Sequence, residues 1–302
     1  MGRIRHKNLF AIIYTVFLVS LTAWFLLDTF AIAKKYEVVE AKSSAASSAA
    51  AKLAAETAVT TETSYEDDNI KITLQTINEY DTQIYIADIE VSSIDYLQSA
   101  FAENSYGRNI KEDTSEIADD NSALLAINGD YYGFRNNGFV LRDGVLYRSS
   151  SQGDGTEDLV IYDDGSFEII DENESDANEL LNNGAWQIYS FGPGLISDGK
   201  LIVDTDTEVS SRSMNSNPRT AIGMIDKLHY LFVVSDGRTD ESAGLSLYEL
   251  ASIMQDYGCE VAYNLDGGGS STMVFNGEII NNPTGGRGSS ERAVSDIIYI
   301  GY

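Results

Sequence analysis

The sequence predicts an α+β fold: one strand-rich domain with a mixed or antiparallel sheet and a few helices, preceded by a transmembrane helix and a flexible stalk. Three observations carry this prediction. β-rich runs flank Asp-Gly and Asn-Gly dipeptides, which is a hairpin pattern. One amphipathic segment has both a helical start signal and a stop signal. The first 65 of the 302 residues differ in composition from everything after them.

Leu9 to Leu27 contains nineteen residues and no charge, enough to cross a bilayer. Arg3, Arg5, His6 and Lys7 precede it, so the positive-inside rule puts residues 1–8 in the cytoplasm. We read residues 9–33 as an uncleaved signal anchor. The alternative is a signal peptide cut after Ala31-Ile32-Ala33, followed by secretion. Either way the rest is extracellular. Residues 34–65 are rich in Ala, Ser and Thr, with no aromatic residue between Tyr36 and Tyr65. Such a segment buries too little to fold alone and reads as a stalk. Residues 66–302 are long enough for one substantial core.

Within that domain the elements follow in order. KITLQTI from Lys71 alternates apolar and polar residues, and QIYIADIEV from Gln83 follows it. Hairpins are expected around Asp143-Gly144, Asp164-Gly165 and Asn276-Gly277. NELLNNG from Asn178 is a short helix. In LSLYELASIMQDYG, Ser246 and Glu249 form a capping box, and Leu247, Leu250, Ala251 and Met254 make one apolar stripe. Gly258 stops that helix, and the strand CEVAYNL then delivers the chain to Asp266.

Charge and scarce side chains narrow the chemistry. From Glu66 onward there are 13 basic and 42 acidic residues, a formal charge of −29. Such a surface repels nucleic acid and anionic lipid. Cys259 is the only cysteine, so no internal disulfide forms, and its place before an apolar strand reads as core. His229 is the only exported histidine and lies in the apolar run LHYLFVV, read as a buried strand. A Ser-His-Asp triad or a histidine zinc site therefore lacks its parts.

Five polar stretches remain: AINGDYYG with Asn128 and Asp130, NPRTAIG with Arg219, VVSDGR with Asp236 and Arg238, NLDGGGSST from Asn264 to Thr272, and SERAVSDIIYIG with Arg292. A strand-to-strand corner needs one glycine. Three glycines between Asp266 and the hydroxyls of Ser270, Ser271 and Thr272 suit a concave nest of N–H groups for an anion. Arg219, Arg238 and Arg292 can grip phosphate bidentately. Asp130, Asp236 and Asp266 are candidates for acid, base or nucleophile, and paired carboxylates cleave glycosidic bonds. Together these groups point to a sugar phosphate. No cofactor is certain. Calcium is the cation considered, through Asp204 and Asp206 or the run Asp171 to Asp176; neither fits an EF-hand, and both also read as solvated loops.

These stretches, with SFGPGLISDG from Ser190 and GLSLYELASIMQDYGCEVAYNLDGGGSSTM, resemble the phosphodiester glycosidase family in type and order from about Leu124 to Tyr302. The resemblance implies a hydrolase, which the apolar N-terminal span would anchor on the outer face of the membrane. It would cleave a sugar-1-phosphodiester of the alpha-N-acetylglucosamine type in a cell-surface or exopolysaccharide polymer. It implies catalytic roles among Asp266, Asp130 and Asp236. It implies substrate binding by Asn128, Arg219, Arg238, Asn264, Gly267, Gly268, Ser270, Ser271, Thr272 and Arg292. Asp130 stands where the family often has a second glycine and an aromatic, which puts its sharing of a catalytic role in doubt. Ala293 stands where proline is frequent, a change in backbone stiffness more than in chemistry. Two alternatives differ in class: a binding or assembly protein for a phosphate-bearing polysaccharide, which needs arginines and amides but no carboxylate, and a structural surface protein whose glycines only turn a corner.

Overall fold

The computed structural model describes residues 2–39, 58–205, 216–285 and 290–302. Along the chain these are α1 (Gly2–Phe30), β1 (Lys34–Val38), β2 (Val59–Thr60), β3 (Ser64–Glu66), β4 (Ile70–Glu79), β5 (Thr82–Val91), β6 (Leu97–Phe101), β7 (Ser105–Arg108), α2 (Thr114–Asp120), β8 (Leu125–Asn128), β9 (Val140–Arg142), β10 (Val145–Arg148), β11 (Glu157–Tyr162) and β12 (Phe167–Asp171). Then follow α3 (Ala177–Asn182), β13 (Ala185–Tyr189), β14 (Gly194–Ser197), β15 (Lys200–Leu201), β16 (Arg219–Asp226), β17 (His229–Ser235), α4 (Leu247–Asp256), β18 (Val261–Asn264), β19 (Met273–Phe275), β20 (Glu278–Ile279) and β21 (Asp296–Ile300).

The fold is strand-rich α+β, and its named strands pair antiparallel. A nine-stranded sheet runs β15-β14-β18-β16-β17-β5-β4-β3-β2, beside two five-stranded sheets, β20-β19-β8-β21-β6 and β10-β9-β13-β11-β12. The three expected hairpins are β9–β10, β11–β12 and β19–β20. Asp143-Gly144 and Asn276-Gly277 both take positive φ at their two central positions, the geometry of a tight hairpin turn.

β17 explains why the run LFVV has no polar alternation. Tyr230, Phe232 and Val234 face a core shared with Leu125, Ile127 and Ile298 of the second sheet. Leu231 and Val233 face Leu247, Leu250, Ala251 and Met254 of α4. Both faces are covered, so both are apolar. His229, expected within that buried strand, instead stands at its half-exposed end, with Nε2 3.0 Å from Asp88 Oδ1. Cys259 is buried, and burial pushes its thiol up to about 12, leaving it inert.

The capping box at Ser246 and Glu249 is present as expected. Most of the stretch read as a stalk, residues 40–57, lies outside the described residues. Its two ends are sheet: β1 pairs with β7, and β2 with β3. β1 forms because Tyr36 packs on Tyr106, with ring centroids 5.9 Å apart.

Replacing the capping hydroxyl, Ser246→Ala, leaves the N–H of Glu249 unsatisfied. It is expected to lower stability by about 1 kcal/mol, measured as a denaturant midpoint shift at unchanged slope.

Candidate active site

Strand ends from two sheets converge on one amide. Asn128 closes β8 and is fully buried. Its Oδ1 accepts from Thr220 Oγ1 at 2.8 Å and from the Thr272 N–H at 3.3 Å, while its Nδ2 donates to Asp266 O at 2.6 Å. The main chain of Asp266 is thereby tied to β8, β16 and the segment after the glycines.

Asp266 then carries the polar centre. Its Oδ2 accepts from Ser270 Oγ at 2.7 Å and from Arg292 Nη2 at 2.8 Å. Arg292 Nε donates to Ser270 Oγ at 2.8 Å, closing a triangle, and Nη2 also reaches Gly267 O at 3.1 Å. Asp266 Oδ1 has no hydrogen-bond partner among the described residues. Burial raises the Asp266 carboxyl above its ordinary range, opposed by Arg292 and Ser270. The triangle lines a cleft of about 180 Å³ together with Asp130, Lys111, Tyr131 and Phe134. Tyr131 and Phe134 stack at 4.6 Å and 23°. Arg135 lies against both Tyr131 and Phe191 and donates to Ser190 O at 2.8 Å.

Asp130 also has a structural task. Its Oδ1 accepts from the Tyr132 N–H at 2.9 Å, and its Oδ2 accepts from Arg142 Nη2 at 3.0 Å and the Ser190 N–H at 2.9 Å. Arg142 is fully buried and also bonds Asp296 Oδ2 through Nε at 3.0 Å and Nη2 at 2.8 Å. Its guanidinium lies 4.0 Å from the Tyr189 ring centroid. Burial raises the Asp296 carboxyl above the usual carboxylate range, with Arg142 pulling the other way and Asp130 adding to the rise. Sequence reasoning missed Arg142 and Asp296, and with them Lys111, Arg135 and the aromatic pair. The available signal was a charged residue at an inward-alternating position of a strand, as in FVLR.

The other candidates surround the glycine turn and do not line this cleft. Asp236 accepts from the Asn282 N–H at 2.8 Å and from Tyr85 Oη at 3.2 Å. Arg238 grips Asn217 Oδ1 through Nε at 3.2 Å and Nη2 at 2.8 Å. Arg219 is buried, with Nε on Leu245 O at 2.9 Å. Asn264 Nδ2 donates to Gly192 O at 2.8 Å. Ser271 Oγ and Thr272 Oγ1 are buried without a partner among the described residues. The nest is partly closed, because the N–H groups of Gly268, Ser270 and Ser271 bond Pro218 O, Gly267 O and Gly268 O. Gly268 needs its φ of +62°, and a Cβ on Gly269 would lie 2.7 Å from Gly285 Cα.

Of the acids considered for calcium, Asp206 lies outside the described residues. Asp171 accepts from the Asn173 N–H, and Asp176 caps α3 through the N–H groups of Asn178 and Glu179. Asp158 is a different case. It is fully buried, and neither carboxyl oxygen has a hydrogen-bond partner among the described residues. Burial, then repulsion from Glu172, pushes it up to about 9.

The family model described as phosphodiester glycosidase matches residues 121–301. The chain is 34% identical over 215 residues to the SPbeta prophage-derived uncharacterized protein YomE of Bacillus subtilis (strain 168), covering 69% of this chain and 32% of that protein. It is 30% identical over 187 residues to the N-acetylglucosamine-1-phosphodiester alpha-N-acetylglucosaminidases of Mus musculus and Homo sapiens, covering 57% of this chain and 35% of each. The chain thus spans about a third of the length of these curated relatives. Among solved structures, the catalytic domain of the zebrafish enzyme of that name, auto-inhibited by its pro-peptide, superposes with a TM-score of 0.62 at 22% identity, covering 82% of this chain and 88% of that one. A hypothetical protein from Synechocystis gives 0.56 at 15% identity, covering 77% and 62%. At these identities the structures share the fold.

Two outcomes follow from the buried charges. Arg142→Met strands two buried carboxylates and is expected to cost about 3–5 kcal/mol; adding Asp296→Asn should recover part of it. Asp158 keeps its proton in the folded chain when the unfolded chain loses it, so stability falls as pH rises from about 4 to about 9. Asp158→Asn should flatten that decline in melting temperature.

Proposed function

The chain belongs to the phosphodiester glycosidase family, and we propose that its cleft hydrolyses the bond between a sugar anomeric carbon and the oxygen of a phosphodiester. Water adds across that bond, giving a reducing sugar and a phosphomonoester. The observation that carries this reading is the Asp266–Ser270–Arg292 triangle. It holds one carboxyl oxygen of Asp266 in place and leaves the other without a partner among the described residues, in a cleft that also offers stacked aromatic rings. In this reading Asp266 acts at the anomeric carbon. Arg292 and Lys111 supply positive charge for the phosphate. Tyr131 and Phe134 give a flat apolar wall for a sugar ring.

Asp130 and Asp236 have both carboxyl oxygens engaged, so their proposed part is positioning. Asp130 places the aromatic turn, and Asp236 places the Asn281-Asn282 segment. Arg238 and Arg219 shape the backbone around the glycines. The domain works outside the cell, anchored by α1, on a surface glycan bearing sugar-1-phosphate. The apolar span Leu9–Phe30 has 22 residues, none of them buried in the domain.

The test is release of reducing sugar from an alpha-N-acetylglucosamine-1-phosphodiester. Asp266→Asn keeps the shape and removes the charge, and is expected to lower kcat about 10²–10⁴-fold at an unchanged melting temperature. Arg292→Gln should cost about 10²-fold in kcat/KM. An Asp266→Asn variant as active as the parent would sink the assignment. Failure of the parent on several sugars would favour the polymer-binding alternative.

A further inference from the structure

The outer end of α1 and the cleft are joined by one short stretch of chain. α1 ends at Phe30, where the last helical carbonyls lack helical partners. Asn109 Nδ2 donates to Thr29 O at 3.2 Å and to Ile32 O just beyond the helix at 3.1 Å. Lys34 closes back onto Asp28 at 2.8 Å. Only Ala31, Ile32 and Ala33 separate α1 from β1, and Lys34 of β1 is paired with Arg108 of β7. The domain therefore sits directly on the helix end, with no slack between them.

The same Asn109 is two residues from Lys111, at most about 7 Å of extended chain, and Lys111 lines the cleft with Asp266 and Arg292. The Asn109 N–H also donates to Gly133 O at 2.9 Å, beside Phe134 of the aromatic wall. The apolar span of 22 residues is about 33 Å long at 1.5 Å per residue, close to the roughly 30 Å hydrocarbon core of a bilayer. Asn109 thus touches the chain where hydrocarbon ends. Headgroups extend about 5–7 Å further on each side, which puts the near wall of the cleft at their level. At this end of a strongly acidic domain Lys34 is paired with Asp28 and Lys35 with Glu103, while Arg108 stands opposite Lys34 and Lys111 lines the cleft, where it suits a phosphate at a membrane surface.

We propose that the cleft takes a sugar-1-phosphodiester whose second alcohol is a lipid lodged in the same bilayer. This rests on the glycosidase reading above. Water adds to the anomeric carbon, the C1–O bond breaks, the sugar leaves to the aqueous side, and the lipid phosphomonoester stays in the membrane.

The test uses the full chain in phosphatidylcholine vesicles with two diesters of N-acetylglucosamine-1-phosphate, one to a long-chain prenol in the same vesicle and one to a short water-soluble alcohol. At matched bulk concentration, sugar release from the prenol diester should be at least ~10-fold faster, because the short junction holds the cleft at the depth of the membrane-bound phosphate and raises its effective concentration there. A variant with about 20 Gly/Ser residues inserted between Ala33 and Lys34 should lose that preference and keep its rate on the soluble diester. Equal rates on the two diesters, or a preference that survives the insertion, would overturn the proposal and leave the glycosidase reading standing. Recovery of the chain from membranes already cut after Ala33 would also overturn it. No release from either diester would overturn the glycosidase reading, and this inference with it.

Discussion

The site depends on one buried amide. Asn128 offers an acceptor and a donor in fixed positions, and the chain uses both. An aspartate there could not donate to Asp266 O, and a leucine would leave Asp266 O and the Thr272 N–H buried and unpaired, at about 1–3 kcal/mol each. The three groups that Asn128 joins lie 92, 138 and 144 residues from it in sequence. They belong to β16, to the turn after β18 and to the segment leading into β19. Once the Asp266 backbone is fixed, Ser270 is four residues on and close enough to bond its carboxylate. Arg292 reaches the same oxygen from the segment before β21.

A second constraint shapes the opposite wall. A guanidinium is costly to bury unless it is paired and fully bonded. Arg142 meets this cost with Asp130, Asp296, the carbonyls of Leu141 and Ile188, and the face of Tyr189. Asp130 can in turn accept from the Tyr132 N–H, which starts the turn carrying Tyr132 and Phe134. The aromatic wall of the cleft is thus coupled to a charge buried behind it. Gly129 belongs to the same arrangement, since a Cβ there would lie 2.4 Å from Asp296 Oδ1.

Local signals made much of this legible. Asp-Gly and Asn-Gly turns, the Ser246 box and the apolar stripe of α4 are short-range features, and each is present where it was expected. Asp266, Ser270 and Arg292 were legible as candidates because the glycine run draws attention to its neighbours. Their triangle was not legible, because Arg292 is 26 residues from Asp266 and the approach depends on Gly269 passing Gly285. Arg142 looked like an ordinary hairpin residue because its two acidic partners come from the turn after β8 and from β21. Asp236 and Arg238 have the residue types of catalytic groups, yet Asp236 bonds the Asn282 N–H and Tyr85 Oη, and Arg238 bonds Asn217. Residue type shows what a side chain can do, and only long-range pairing shows which task it has. β1 was hidden in a similar way, since Lys34–Val38 has little reason to be a strand until Tyr106 and the edge of β7 are beside it.

The charge distribution bears on how a phosphodiester would reach this cleft. The domain from Glu66 onward is formally −29, a poor attractor for a free polyanion. Screening at physiological salt has a length of about 8 Å, so a bound phosphate would chiefly feel Arg292, Lys111 and Arg135. Net charge therefore slows capture from solution, while local charge still favours the bound state. A substrate confined to the bilayer, as proposed, would avoid the unfavourable approach, because it would arrive laterally, on the side of Arg108 and Lys111. The direct bonds from Asn109 to the end of α1 matter for the same reason. A long tether would raise the cleft away from the membrane and expose every approaching phosphate to the acidic surface. On the proposed reading, the short junction would hold the cleft beside the bilayer, with Lys111 and Arg292 facing the incoming phosphate.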